Sequence, residues 1–132
     1  VSPNLDEALC KKYPKIFVNR HESPQKSPMF WGFECGDGWY DLIDQLCHNL
    51  QFNTDHNSHI KDKYPQVVAM QVKEKFGELR FYVQEASDVQ YAVIHFASEL
   101  SGHICDVCGK PGKRGGSGWI RTRCEEHAHT DA

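Results

Sequence analysis

Cys105-Asp106-Val107-Cys108-Gly109, followed after a glycine-rich interval by Cys124-Glu125-Glu126-His127, is the stretch around which the rest of the chain is read. It contains a C-x2-C pair and a C-x2-H pair separated by fifteen residues. Tetrahedral zinc needs four donors converging on a point, and two tight turns joined by a hairpin-sized spacer supply that geometry. Gly109 suits the first turn, which needs a residue tolerant of positive φ so that backbone amides can face the thiolates. A disulfide is disfavoured, because C-x2-C pairs in loops serve metals and no signal-peptide pattern precedes them. The expectation is one structural Zn2+ held by Cys105, Cys108, Cys124 and His127, with no open position for catalysis. His103 and His129 are alternative fourth ligands, and the matched x2 spacings favour His127.

The spacer supports a zinc hairpin. Pro111, Gly112, Gly115, Gly116, Ser117 and Gly118 are turn formers, 119–123 reads as the returning strand, and 124–127 as a turn or first helical turn. Glu125 and Glu126 suit such a helix start. A zinc-binding module is therefore expected at 103–132, packed as one cooperative unit on an α+β core at 1–102. At 132 residues the chain has the length of one such domain.

Upstream, Trp39, Leu42, Ile43, Leu46 and Leu50 recur at helical spacing and predict a helix over 38–51, with Asp37 as its cap. A shorter helix is expected at 4–13, with Asn4 as N-cap, Leu5, Leu9 and Tyr13 on one face, and Pro14 as its stop. Residues 21–28 and 53–60 read as loops, and the aromatic run 29–34 as an extended segment. Segments 66–75 and 79–84 alternate around Phe76-Gly77 and predict a β-hairpin. Ser87 and Gln90 match a capping box. The helix they open is expected to bury Val89, Val93, Phe96, Ala97 and Leu100, and to end with Gly102 as its C′ residue. The fold class is α+β: two amphipathic helices packed on an antiparallel β-hairpin or sheet, with a C-terminal zinc module.

Composition narrows the function classes. The net charge is −3, which argues against a generally basic nucleic-acid binder. Charge is nevertheless segregated: residues 1–60 carry five basic and eight acidic groups, whereas Lys110, Lys113, Arg114, Arg121 and Arg123 lie between Cys108 and Cys124 without an acid. No apolar run approaches the ~18 residues of a membrane span. Three cysteines, Cys10, Cys35 and Cys47, remain outside the quartet. An odd remainder without secretion signals points to a reducing cytoplasm.

Other constellations are weaker. The glycine-rich segment 109–118 does not match G-x4-G-K-[ST] and is not a phosphate loop. Cys35 and His48, with Asp37 or Asp44 to orient the base, form a nucleophile and base pair without a local signature. Cys47 reads as a small core residue. His56-x2-His59 reads as a surface pair. The aromatic cluster Phe30, Trp31, Phe33, Trp39 and Tyr40 is expected mainly in the core. The basic hairpin and an acidic helix face (Asp41, Asp44) remain as candidate binding surfaces.

Four segments in order, C-G-D-G-W-Y-D-L-I-D (35–44), V-K-E-K-F-G-E-L-R-F-Y (72–82), I-C-D-V-C-G-K-P-G (104–112) and G-W-I-R-T-R-C-E-E-H (118–127), resemble small bacteriophage- and prophage-encoded zinc-binding proteins of unknown function. The resemblance covers most of 30–127. It implies a bacterial host cytoplasm, no catalytic residues, and an accessory role such as interference with host defence. The expected function is that of a non-enzymatic protein binding a host macromolecule, a host protein first. The alternatives are a nucleic-acid-binding accessory protein using the basic hairpin, and a small Cys-dependent enzyme.

Overall fold

A computed structural model describes residues 1–128. Its sheet grows from one local decision. Phe76 and Gly77 both take positive φ, 55° and 79°, as the central pair of a two-residue hairpin turn with the primed geometry that matches strand twist. The turn joins β2 (Ala69–Lys75) to β3 (Glu78–Val83), and Lys75 faces Glu78 across it. Alternation then works as expected: Val72, Leu79 and Phe81 face the core, while Lys75 and Tyr82 face solvent. A short strand, β1 (Phe33–Glu34), adds to β2 in parallel, so the sheet has the order β1-β2-β3.

Only the end of the aromatic run 29–34 is extended. Pro28–Trp31 coils into a 3-10 turn, because Pro28 presets φ and the Ser27 hydroxyl accepts the Met29 amide. The cluster divides accordingly: Phe33 and Trp39 are buried, whereas Phe30 and Trp31 are exposed.

Three helices flank the sheet. The first, α1, spans Pro3–Lys12 with Ser2 at the N-cap position and Pro3 as its first residue, so Asn4 lies inside the helix instead of capping it. It ends at Tyr13, where the following Pro14 disfavours the helical region. The second, α2 (Tyr40–His56), is preceded by a 3-10 turn, Asp37–Trp39. Asp37 does not cap it; its carboxylate instead accepts the Ser2 amide at 2.5 Å. The helix passes the expected end at residue 51 and consumes the first half of the expected loop 53–60. Local side-chain contacts carry it there: the Asn57 amide donates to Asn53 at 2.8 Å, and Phe52 stacks on His56 at 4.4 Å.

The third, α3 (Asp88–Ser101), opens with the expected capping box, Ser87 and Gln90 exchanging bonds. Its buried face is not the expected one. Gln90, Ile94, Ala97 and Ser101 are buried, one residue on from the stripe Val89, Val93, Phe96, Leu100. Of the expected set only Ala97 is buried, with Val93 partly so. Two polar side chains explain the rotation. Gln90 Nε2 donates to the Pro65 carbonyl at 2.7 Å, and the Ser101 hydroxyl accepts the Leu79 amide at 2.8 Å. Each satisfies a backbone group of a neighbouring segment, which makes its burial tolerable. Gly102 ends the helix in a right-handed conformation, φ −68°, and is not a left-handed C′ cap.

The core lies between α1, α2, α3 and the sheet, centred on Leu9, Ile16, Met29, Trp39, Ile43 and Val72. The α+β architecture read from the sequence is the one observed, with helices packed on a small sheet and a C-terminal Cys3His cluster. Among the described residues, no helix is long and apolar enough to cross a membrane.

Candidate metal centre

The last part of the chain is a second, two-stranded sheet, β4 (Lys113–Gly115) against β5 (Arg121–Arg123). The turn 105–109 precedes it and the 3-10 turn Glu125–His127 follows. Gly109 has φ 81°, the conformation expected where the chain closes over a metal. Its amide donates to the Cys105 carbonyl at 2.9 Å, which shapes the C-x2-C turn.

The four residues read as zinc ligands converge. Their donor atoms all lie within 4.8 Å of one another. Cys108 Sγ is 3.7 Å from Cys124 Sγ, and His127 Nδ1 is 3.8 Å from Cys105 Sγ and 3.2 Å from Cys124 Sγ. Zinc–sulfur bonds of about 2.3 Å in a tetrahedron require sulfur–sulfur edges of about 3.8 Å. The cysteine spacing meets this requirement and is far from the ~2.05 Å of a disulfide. Burial disfavours the Cys105 thiolate, but backbone amides of Cys124, Cys108 and Val107 aimed at its sulfur prevail and bring the thiol down to about 6. The donor set therefore fits one structural Zn2+, which Cys105, Cys108, Cys124 and His127 would hold. Bound there, the ion supplies a cross-link between the two turns and contributes folding energy. His103 is exposed and outside the cluster, and His129 lies outside the described residues. Among the described residues this is the one His, Cys, Asp and Glu cluster able to hold a metal, and His56-x2-His59 does not belong to one.

No protein-family model, curated protein or solved structure matches the chain. What the site can do is therefore read from its own contacts.

The Cys35-Gly36-Asp37-Gly38-Trp39 turn, read from sequence only as the start of a helix, is the cradle of the zinc turn. The Gly38 amide donates to the Asp106 carbonyl at 3.0 Å, and Trp39 Nε1 donates to the Ile104 carbonyl at 2.8 Å. A Cβ on Gly36 would stand 2.0 Å from the Asp106 carbonyl oxygen, so the two backbones touch and leave no room for a side chain. The other sheet closes on the module as well. The Thr122 hydroxyl donates to the Gly77 carbonyl, and Arg114 Nε donates to the Phe76 carbonyl at 2.7 Å. These four bonds cross between 1–102 and 103–128, two from the turn at 36–39 and two at the Phe76-Gly77 turn. The single G-x-G spacing around Asp37 was the available sequence signal for such an approach.

The tentative binding residues fare differently. Arg123 is buried and paired with buried Asp106, Nε to Oδ1 2.7 Å, and so is a structural cation instead of part of an exposed basic surface. Arg114 lies 3.8 Å from Glu78, Lys110 lies 3.9 Å from Glu126, and Lys113 is exposed. Arg121 sits over the Trp119 ring at 4.7 Å. Asp41 is exposed, but Asp44 is bonded by Lys12 Nζ at 2.8 Å and Tyr13 Oη at 2.7 Å. The expected acidic face is thus reduced, because Asp44 is tied to α1. His48 is exposed and packs near Phe52, while burial pushes the Cys35 thiol up to about 12.

Proposed function

We propose that the chain is a non-enzymatic, zinc-stabilised accessory protein, of the phage and prophage kind its motifs resemble, that occupies a surface of one host protein in a bacterial cytoplasm. One observation carries this reading: the exposed apolar stripe of α3. Phe96 is 65% exposed, Leu100 39% and Val89 36%, with half-buried Val93 between them. The spacing i, i+4, i+7, i+11 makes this a continuous ridge, and helices that present such a ridge seat it in a groove of a partner. Charge selects the partner's chemistry. α3 carries Asp88 and Glu99 and no lysine or arginine, so the fitting surface is an apolar groove rimmed by basic residues. A second copy is a poor fit, because antiparallel pairing of two α3 helices sets Asp88 of one against Glu99 of the other. Host defence proteins are the natural targets in a phage setting. Burial that pushes the Cys35 thiol up to about 12, and four protein donors that would leave a zinc ion no open position, support binding without turnover.

The test uses the zinc-loaded chain, the protein it captures from bacterial lysate, and Phe96→Asp. The captured protein is purified and titrated. Saturation near equimolar amounts, weakened about tenfold or more by Phe96→Asp and unchanged by Cys35→Ala, is expected. Inhibition of the partner at far substoichiometric amounts that vanishes with Cys35→Ala would mean a Cys-dependent enzyme. Binding indifferent to Phe96→Asp would remove α3 as the working surface.

A further inference from the structure

The four donors of the metal centre do not meet solvent equally. Cys105 is fully buried, and the amides of Val107, Cys108 and Cys124 surround its sulfur. Cys108 is exposed, and its Sγ stands 3.7 Å from Cys124 Sγ on the exposed side of the cluster. Cys124 also lines an open groove of about 880 Å³ beside β4 and β5, through which small solutes reach it. The cluster thus turns one sulfur–sulfur edge to water and holds its third sulfur inside. Cysteines that ligate zinc do so as thiolates, the form that oxidants attack. The other three cysteines are protected. Cys47 is buried in the core, burial pushes the Cys35 thiol up to about 12, and burial together with Asp6 pushes Cys10 up to about 11.

We infer that the outward edge of the cluster is an oxidative modification site, at which a hydroperoxide joins Cys108 to Cys124 in a disulfide and so dismantles the metal site. Cys108, the exposed member, is the attacking sulfur. Its thiolate attacks the peroxide O–O bond, an S–O bond forms as O–O breaks, and hydroxide leaves. The Cys124 thiolate then attacks the Cys108 sulfur, the S–S bond forms, and the second hydroxide leaves. Two sulfurs give up two electrons, one hydrogen peroxide takes them, and two protons from solvent turn both hydroxides into water. The sulfurs need only close from 3.7 Å to the ~2.05 Å of a disulfide, between turns that already face each other. Cys105 and His127 then remain as donors, too few for a structural zinc. The rest of the module has its own hold on the core. The Asp106 carbonyl stays bonded by the Gly38 amide, Thr122 stays bonded to Gly77, and Arg123 stays paired with Asp106. Oxidation is therefore a local and reversible event. The inference rests on the zinc reading and not on the α3 ridge.

The experiment treats the zinc-loaded full chain with hydrogen peroxide, follows zinc release with a colorimetric chelator, and maps disulfides by mass spectrometry of its peptides. Metal analysis before peroxide is added tests the zinc reading by itself, so the two can fail separately. Zinc should be released in step with one disulfide, and fragmentation between Cys105 and Cys108 should place it at Cys108–Cys124. Cys10, Cys35 and Cys47 should still take up an alkylating reagent after unfolding. A thiol reductant with added Zn2+ should restore the metal content. Cys108→His, which keeps four donors of the kinds zinc accepts, should hold the metal and lose the response, while Cys35→Ala should release zinc as the wild type does. The disulfide map of the wild-type chain decides the matter even where Cys108→His fails to fold. Zinc retained under peroxide that oxidises glutathione in the same tube would overturn the inference. So would a disulfide that includes Cys105, earlier oxidation of Cys10, Cys35 or Cys47, or zinc loss from Cys108→His at the wild-type rate.

Discussion

Gly38 and Cys105 are in backbone contact: a Cβ on Gly38 would lie 2.1 Å from the Cys105 carbonyl oxygen. The first zinc ligand therefore rests directly on the turn that starts the central helix. Replacing Gly38 by Ala must push the zinc turn away or distort the helix start, and neither backbone can yield cheaply. Gly38→Ala should cost about 3 kcal/mol in chemical denaturation, at the upper end for over-packing. Gly115→Ala, with no atom within 4 Å of the added methyl, should stay within about 0.5 kcal/mol. Equal costs at the two positions would mean that the close approach has no energetic weight.

The same contact predicts how metal loss is felt. One zinc per chain should survive dialysis, and Cys108→Ser should abolish it. Because Gly38, Trp39 and Gly77 all bond to the module, chelation should lower the thermal midpoint of the entire chain. Far-UV dichroism and tryptophan emission should then report one coincident transition. Two separated transitions, with α2 intact in the first, would show the module to be a satellite.

Arg123 and Asp106 make a buried ion pair that joins β5 to the zinc turn. Removing one partner strands the other charge in the interior, which typically costs about 3–5 kcal/mol. Arg123→Leu and Asp106→Leu should each destabilise by about that amount, and the double variant by clearly less than their sum. Additive costs in a double-mutant cycle would show that the two do not interact.

Asp44 supplies a pH signature. Partial burial pushes its carboxyl up, but hydrogen bonds from Lys12 and Tyr13 outweigh burial and hold it below the usual range. A depressed folded pKa means stability that is fully present above the unfolded value near 4 and lost as pH falls through the folded one. The stability gap between wild type and Asp44→Asn should therefore be constant from pH 7 to about 5 and close below about 4. Both proteins are measured at the same zinc loading, so that proton-driven metal release is shared. A gap independent of pH would assign the loss to shape and not to charge.

Signals contained in a few neighbouring residues were legible without a structure. The two ligand pairs, the Phe76-Gly77 turn and the Ser87–Gln90 capping box each depend on spacings of one to three residues. Backbone geometry over such distances leaves little choice. The start of α1 was misplaced for an equally local reason, since Pro3 outranks Asn4 in setting where the helix begins.

Partners distant along the chain decided the rest. Apolar periodicity in α3 offered two adjacent stripes, and the polar bonds of Gln90 to Pro65 and Ser101 to Leu79 selected the one that is buried. The glycines at 36 and 38 read as turn residues until Cys105 and Asp106 were placed against them. Trp39 reaches Ile104 across 65 residues, and Arg123 counted as a surface cation until Asp106 took it inside. The sequence by itself determined the two Cys/His pairs that converge, the hairpin turn and the α3 capping box, because local stereochemistry suffices for them. Which apolar stripe faces water, and which cations remain outside, belonged to the tertiary structure, because burial is a property of the neighbours that packing brings and not of the residue alone.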